Sequence, residues 1–231
     1  MILGGFQKLT LLDYPGKIAT TVFTVGCSFR CPFCHNPELV DLRLAHNEES
    51  ESEFLKFLEK RQGILEGVCI TGGEPTIQPD IIDFIRKIKK MGFLVKLDSN
   101  GTRPDVLKKL LDEKLLDHIA MDIKSSLEKY SETTDSKVDK DRIRMSVNLI
   151  RNSRLPYEFR TTVVPGLHTE KDILDIVKWI DGAEAYYLQE YREDHKILDL
   201  NLKAKTKGKS IDLDRLGKKI VKNFGKVDIR R

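Results

Sequence analysis

The chain has 231 residues, and its 40 basic against 36 acidic side chains leave a net charge of +4, too small an excess to argue for a nucleic-acid partner. One α/β domain of this length can bury roughly 70% or more of the surface its unfolded chain exposes, so folding needs neither disulfides nor a structural metal, and 4 cysteines are too sparse for a disulfide framework. No apolar stretch approaches transmembrane length and the first residues lack the basic and long apolar regions of a signal peptide, so a soluble, cytoplasmic protein with no membrane partner is expected.

Along the chain, short β-rich runs alternate with amphipathic helical segments, the pattern of parallel strands joined by crossover helices. Strands are predicted over Ala19 to Val25, Gly67 to Ile70, Phe93 to Leu97, His118 to Met121, Tyr157 to Val163 and Ala185 to Leu188. A helix is predicted from Gln78 to Met91, with Ile81, Ile82, Ile85 and Ile88 at helical spacing and Gly92 as its stop. Pro104 opens another, with Val106, Leu107, Leu110 and Leu111 inward. Thr169 and Asp172 form a capping box ahead of Ile173, Ile176, Val177 and Ile180. Six such units predict an α/β fold built as an open, partial barrel of parallel strands. The organisation expected is a core domain over 1–194 and a short C-terminal extension over 195–231. In that extension Lys203 to Ser210 reads as a solvated basic linker and a candidate docking element, and Leu213, Leu216, Ile220 and Phe224 as a final helix packed on the barrel.

The densest chemistry follows the first predicted strand, where Cys27-Ser-Phe-Arg-Cys31-Pro-Phe-Cys34 forms a Cys-x3-Cys-x2-Cys set. Three thiolates on one loop can hold a four-iron cluster at three corners and leave the fourth iron open to a small molecule. A zinc site normally wants four ligands, and only Cys69 and the 5 scattered histidines remain to complete one. His35 is expected to serve the loop's hydrogen bonding, and Cys69, inside an apolar strand, to be a buried structural thiol.

In parallel α/β architectures the chemistry gathers at the C-terminal ends of strands, where loops converge on one mouth. The other unusual segments fall at such ends: Gly72-Gly73-Glu74-Pro75, Asp98-Ser99-Asn100-Gly101, Asp122-Ile123-Lys124, Val164-Pro165-Gly166 and Gln189-Glu190. The adjacent glycines let backbone approach a ligand closely, and Glu74 offers acceptors for an ammonium group. Asp98 brings a carboxylate to the mouth. Asp122 and Lys124, two apart, share one face, and Arg160 within its strand could grip a carboxylate with a planar fork. A structural salt-bridge network among Asp98, Asp122 and Lys124 is the alternative.

The cysteine spacing, with aromatic Phe33 just before the last thiol, resembles the radical S-adenosylmethionine superfamily, and Gly72-Gly73-Glu74-Pro75 looks like that superfamily's glycine-rich motif. Leu12-Asp13-Tyr14-Pro15-Gly16, Thr21 to Cys27 and Cys34-His35-Asn36-Pro37-Glu38-Leu39 resemble the glycyl-radical-enzyme activases, most nearly the branch serving anaerobic ribonucleoside-triphosphate reductase. Asp98-Ser99-Asn100-Gly101 resembles their Asp-Thr-Asn-Gly motif with serine for threonine, and Asp122-Ile123-Lys124 matches their Asp-x-Lys motif.

The resemblance implies a partial (β/α)6 radical-SAM barrel in which Cys27, Cys31 and Cys34 hold a [4Fe-4S] cluster whose open iron is chelated by S-adenosyl-L-methionine. It implies cofactor-binding roles for Phe33, Gly72, Gly73, Glu74, Asp98, Asn100, Lys124 and Arg160, and a catalytic set of the three cysteines with Asp122 and Lys124. A flavodoxin-like or ferredoxin-like donor would supply the electron, and the 5′-deoxyadenosyl radical would take hydrogen from a glycine of a partner glycyl-radical enzyme, the reductase for which the basic stretch from Lys203 to Ser210 is the candidate docking element. Two other classes are the alternatives: a radical enzyme acting on a small molecule or RNA, which could use the same cysteines and Gly-Gly-Glu motif, and a non-catalytic iron-sulfur carrier, which would need no Gly-Gly-Glu motif.

Overall fold

The β-branched and apolar runs of the sequence form one eight-stranded sheet in this computed structural model, which describes residues 1, 3–41, 50–192 and 196–231. The strands are β1 (Leu3–Thr10), β2 (Ala19–Thr24), β3 (Gly67–Gly72), β4 (Leu94–Ser99), β5 (His118–Asp122), β6 (Tyr157–Val163), β7 (Ala185–Glu190) and β8 (Lys226–Arg230). They lie side by side in chain order; β1 is antiparallel to β2, and β2 to β8 are parallel. The two ends of the sheet, β1 and β8, do not pair, so the curved sheet stays an open barrel.

The helices are α1 (Glu51–Glu59), α2 (Ile81–Lys90), α3 (Pro104–Asp112), α4 (Tyr130–Thr133), α5 (Lys140–Arg151), α6 (Glu170–Ile180), α7 (Leu202–Thr206) and α8 (Leu213–Ile220). Their apolar stripes meet one face of the sheet. Phe54 and Leu58 of α1, Phe84, Ile85 and Ile88 of α2, Leu107 and Leu110 of α3, and Ile173 and Ile176 of α6 share one core with Val68, Ile70, Val95, Leu97, Ile119, Met121 and Phe159. Each such fully buried side chain contributes about 2 kcal/mol. Capping boxes fix the starts of α1 (Ser50 with Glu53) and α6 (Thr169 with Asp172).

Because side chains alternate across a strand, the residues between these core positions face the other way, into the barrel. Those are Cys69, Thr71, Lys96, Asp98, His118, Asp122, Glu158, Arg160 and Thr162, so the helix-facing wall is apolar and the inner wall carries the charge.

The six predicted strands are β2 to β7. Both edges were illegible: β1 carries Gly4-Gly5 and Gln7-Lys8 among its eight residues, and β8 is the short alternation Lys-Val-Asp-Ile-Arg. The basic stretch after residue 202 also departs from expectation, because α7 forms within it and buries Leu202 and Thr206. The terminal helix forms as α8, burying Leu213, Leu216 and Ile220, and the chain then returns to the sheet as β8. The expected boundary at 194 lies outside the described residues.

At the barrel floor, His118 stands with its Nδ1 buried and without a hydrogen-bond partner among the described residues. Burial, aided by Lys96, pulls its pKa down to about 4, so the folded protein holds it neutral. A histidine depressed in this way contributes stability that is complete above its unfolded value near 6.5 and is lost as pH falls toward 4. The melting temperature should therefore drop between pH 7 and pH 5, and His118→Gln should flatten that drop. An unchanged slope in the variant would refute the assignment.

Candidate functional site

The cysteine loop leaves β2 at Thr24 and is fastened to the chain on three sides. Gly26 and Cys27 donate their amides to Leu39 O (2.8 Å) and Val40 O (3.3 Å), Arg30 N donates to Thr134 O (3.0 Å), and Cys34 N closes a turn on Cys31 O (3.0 Å). Phe29 and Phe33 are buried beside it, Phe33 edge-on to His168. All four cysteines are free thiols. Burial pushes the Cys27 thiol up to about 11 and Cys31 up to about 12, and raises Cys34 as well; such thiols stay protonated and inert until a metal displaces the proton.

Cys27, Cys31 and Cys34 open onto a cavity of about 290 Å³ at the C-terminal ends of the strands. Its wall includes every residue given a catalytic or cofactor-binding role from sequence, namely the three cysteines, Phe33, Gly72, Gly73, Glu74, Asp98, Asn100, Asp122, Lys124 and Arg160, but not Glu190 or Val164-Pro165-Gly166, of which Pro165 and Gly166 line a separate hollow with Lys209 and Asp212. Thr71 and Thr162 join the cavity wall without having been foreseen, although each lies two residues beyond an inward-facing neighbour, Cys69 and Arg160, and strand alternation could have found both. Among the described residues no three Cys, His, Asp or Glu side chains converge on a single metal ion. A polynuclear cluster asks for something else, one thiolate for each of several irons, and three free thiols spread along one cavity wall fit that demand.

Glycine is required twice in the loop after β3. Gly72 has φ of +119°, and a Cβ there would lie 2.3 Å from Thr24 N; a Cβ on Gly73 would lie 2.1 Å from Gly26 O. This contact brings the β3 loop against the cysteine loop, where Gly73 N donates to Thr24 O (2.9 Å) and Glu74 N to Gly26 O (2.8 Å). Glu74 itself does not present open acceptors to the cavity. It is 1% exposed, its Oε1 accepts from Ser99 Oγ (2.8 Å), Thr76 N (3.1 Å) and Thr76 Oγ1, and its Oε2 accepts from Asn100 N (2.6 Å). Burial raises its pKa against these donors. Glu74 is thus a brace tying the β3 loop to the β4 loop. Asn100, held in this way, directs Nδ2 to Ser28 Oγ (3.0 Å) and toward Cys27 Sγ (3.9 Å).

The inner wall carries a ladder of alternating charge across β4, β5 and β6. Lys96 bonds Asp98, Arg160 Nη1 reaches Asp98 Oδ2 (3.0 Å), Arg160 Nε reaches Asp122 Oδ1 (2.8 Å), and Lys124 Nζ reaches Asp122 Oδ2 (3.0 Å). Glu158 extends it, 3.7 Å from Arg160 and doubly bonded by Arg230 of β8 at 2.9 and 2.7 Å. Burial alone would raise both aspartates, but Arg160 with Lys96 at Asp98, and Arg160 with Lys124 at Asp122, hold them below the ordinary carboxylate range. Burial would likewise lower Lys124, but Asp122 more than offsets it and keeps the ammonium charged. The network of Asp98, Asp122 and Lys124 that the sequence offered as the alternative reading of these charges is therefore present, with Arg160 as its centre and Lys96, 1% exposed, as a member that sequence reading missed. A lysine inside an apolar strand gave its signal only through the alternation that places it inward.

The backbone of Asp122-Ile123-Lys124 is held at each step. Ile123 N donates to Arg160 O (2.7 Å) and Ile123 O accepts from Thr161 Oγ1 (2.8 Å). Buried Tyr130 takes the Lys124 amide on its hydroxyl (3.2 Å). His168 receives Val164 N on Nδ1 (3.0 Å), which assigns the proton to Nε2, and that N–H donates to Lys124 O (2.8 Å). Burial keeps His168 neutral, as this bonding needs. Of the remaining expectations, His35 lies in the cavity wall stacked on Tyr191, Gln189 closes the wall from β7, and Cys69 is buried beside Lys96 and Asp98.

Comparison with known proteins bears on this geometry. Residues 21–180 match the family profile described as the radical SAM superfamily. A Methanocaldococcus jannaschii protein, provisionally named a glycyl-radical enzyme activating enzyme, is 33% identical over 99% of this chain and 95% of its own length. The pyruvate formate-lyase-activating enzyme of Clostridium pasteurianum is 26% identical over 92% of this chain and 97% of its own. Among solved structures, Streptococcus suis SuiB bound to S-adenosylmethionine superposes with a TM-score of 0.66 at 15% identity, covering 90% of this chain, which spans about half (49%) of that one. Among the described residues no helix is long and apolar enough to cross a membrane.

Proposed function

The chain belongs to the radical SAM superfamily and, within it, to the glycyl-radical enzyme activating enzymes, and from that premise we propose that it generates the glycyl radical of anaerobic ribonucleoside-triphosphate reductase. The observation that carries the reading is the meeting of three reduced thiols, a glycine pair and the Asp122–Lys124 pair on one cavity. The family's cofactors are a [4Fe–4S] cluster and S-adenosyl-L-methionine, which when bound supply one-electron cleavage of the sulfonium and hydrogen abstraction.

The residues divide the remaining work. Cys27, Cys31 and Cys34 would each bind one iron. The main chain of Gly72 and Gly73, pressed into the cavity, would meet the methionyl ammonium in place of the engaged Glu74 carboxylate. Lys124, with Asp122 as the partner of one of its three donors, has donors left for the methionyl carboxylate. Arg160, fixed by both aspartates, orients Lys124 through Asp122 and sets a positive floor beneath an anionic group. Phe33 and Phe29 keep water from the loop. An open barrel leaves the mouth wide enough for a peptide loop, as a protein substrate demands. The choice of the reductase among glycyl-radical enzymes is supported by the resemblance over 12–39, and the electron would come from a flavodoxin-like or ferredoxin-like protein.

The test is anaerobic reconstitution with iron and sulfide, reduction with dithionite, and addition of S-adenosyl-L-methionine with the reductase or, separately, pyruvate formate-lyase. Expected are 5′-deoxyadenosine and a glycyl-radical doublet by electron paramagnetic resonance on the reductase. A doublet on the lyase alone would reassign the partner, and cleavage with neither doublet would favour a small-molecule or RNA substrate.

A further inference from the structure

The structure places a concentrated positive surface against the cysteine loop. After residue 195 the chain passes behind that loop, where Leu198 N donates to Cys34 O (3.1 Å) and Asp199 N to Pro32 O (3.0 Å). Buried Ile197 and Leu202 anchor the passage. The chain then turns outward into α7, whose end packs on the loop after β6: a Cβ on Gly166 would lie 2.8 Å from Lys205 O. Lys203, Lys205, Lys207 and Lys209 are all exposed, with no acidic residue between them.

None of the four shows an ion pair among the described residues, and other exposed lysines, Lys60 and Lys222 among them, show none either. What marks this segment is its spacing, four exposed lysines between 203 and 209 with no carboxylate among them, whereas Lys17, Lys87, Lys108, Lys171 and Lys219 each pair with one. Leu200, 72% exposed, precedes them in the chain as an uncovered apolar side chain. A run of exposed positive charge suits a transient protein partner of opposite charge, steered by its field.

We propose that this basic face is the docking surface for an acidic one-electron carrier protein that reduces the iron–sulfur group; the inference rests on the activase reading above. The carrier is favoured over the glycyl-radical enzyme by position. The segment lies against the main-chain oxygens of Pro32 and Cys34 and takes no part in the cavity wall. A peptide substrate must enter the cavity, but an electron carrier needs only to come close to the loop from outside it. In the step, one electron leaves the reduced carrier and enters the iron–sulfur group; the carrier is oxidised by one electron, and no bond forms or breaks at the interface.

The experiment compares the reconstituted parent with a variant carrying Lys203→Glu, Lys205→Glu, Lys207→Glu and Lys209→Glu, and with the corresponding four-fold Lys→Gln variant. Binding of an acidic flavodoxin and of an acidic ferredoxin is measured by calorimetry at low and high salt, and 5′-deoxyadenosine formation is driven by each carrier or by dithionite. Expected is salt-sensitive binding of at least one carrier by the parent, weakened about tenfold or more in the Glu variant and less in the Gln variant. Carrier-driven cleavage should fall in parallel while dithionite-driven cleavage stays at the parent level. The proposal is overturned if the parent binds neither carrier, if reversal leaves carrier binding intact, or if reversal weakens binding of the reductase alone. Absent cleavage in the parent with dithionite would count against the activase reading, while the binding measurements would still decide the surface.

Discussion

Cys31→Ser should leave the fold intact and abolish the chemistry. The substitution keeps side-chain shape and replaces a buried thiol, 7% exposed, with a hydroxyl that iron–sulfur clusters accept poorly. The loop around it is held by main-chain bonds to Leu39, Val40 and Thr134 and by the packing of Phe29 and Phe33, none of which uses the sulfur. The melting temperature of the unloaded protein should therefore move by only a few degrees, about 1 kcal/mol of stability. Iron and sulfide retained after reconstitution should fall several-fold, with loss of the visible charge-transfer band. Cleavage of S-adenosyl-L-methionine should fall below detection, further than the roughly 10–100-fold that loss of an outer partner of a metal ligand costs. Cys69→Ser is the control: that thiol lies in β3 beside Lys96 and Asp98, and its loss should leave iron content unchanged. Full iron loading and turnover in Cys31→Ser would refute the ligand assignment.

Arg160→Met should destabilise the protein and weaken its hold on cofactor together. Arg160 bridges Asp98 and Asp122, and its removal leaves two buried carboxylates sharing a wall with only Lys96 and Lys124 as counter-charges. Breaking a buried pair on one side typically costs about 3–5 kcal/mol because a buried charge is left behind, which for a protein of this size lowers the melting temperature by about 10 °C. The pH dependence separates this cause from lost packing. In the parent, Asp98 and Asp122 are held below their ordinary values, so their contribution is complete above the unfolded carboxylate pKa near 4 and is lost as pH falls below it. Without Arg160 those values rise, and protonation relieves the variant. Its stability deficit should be larger at pH 7 than at pH 4, a narrowing that a simple packing defect would not produce. Arg160→Lys, which keeps the charge but cannot reach both aspartates as a fork, should fall between. Parent-like stability and cofactor affinity in Arg160→Met would show that the ladder is not the support it is taken to be.

The two experiments touch opposite kinds of legibility. The thiols were visible because ligand spacing is a local property of one loop. The ladder was only half visible. Asp98, Asp122 and Lys124 stood out as charged residues ending apolar strands, and Arg160 as a charge within one. Lys96 and Glu158 did not, since a charge in mid-strand is informative only once the inward face is known. Arg230 could not be read at all, because its partner Glu158 lies 72 residues away in the chain and the strand that delivers it is a five-residue edge. Glu74 shows the reverse: its place at the mouth was read correctly, but its carboxylate is engaged by Thr76, Ser99 and Asn100, a commitment that exists only after two loops have met.

What the sequence by itself determined were the properties set within a few residues of one another: the cysteine spacing, the six central strands with their β-branched runs, the capping box of α6, and the rule that puts strand-end residues on one mouth. What only the tertiary structure decided were the relations between distant segments. The edge strands β1 and β8 depend on a neighbour for their hydrogen bonds, not on their own composition. The assignment of Arg160 to two carboxylates, of His168 to the Lys124 carbonyl, and of the basic segment to the back of the cysteine loop depends on packing that brings residues 32 and 199, or 124 and 168, into contact. Local pattern cannot carry such information, because a charged or polar side chain takes its partner from whatever the folded chain places within about 3 Å of it.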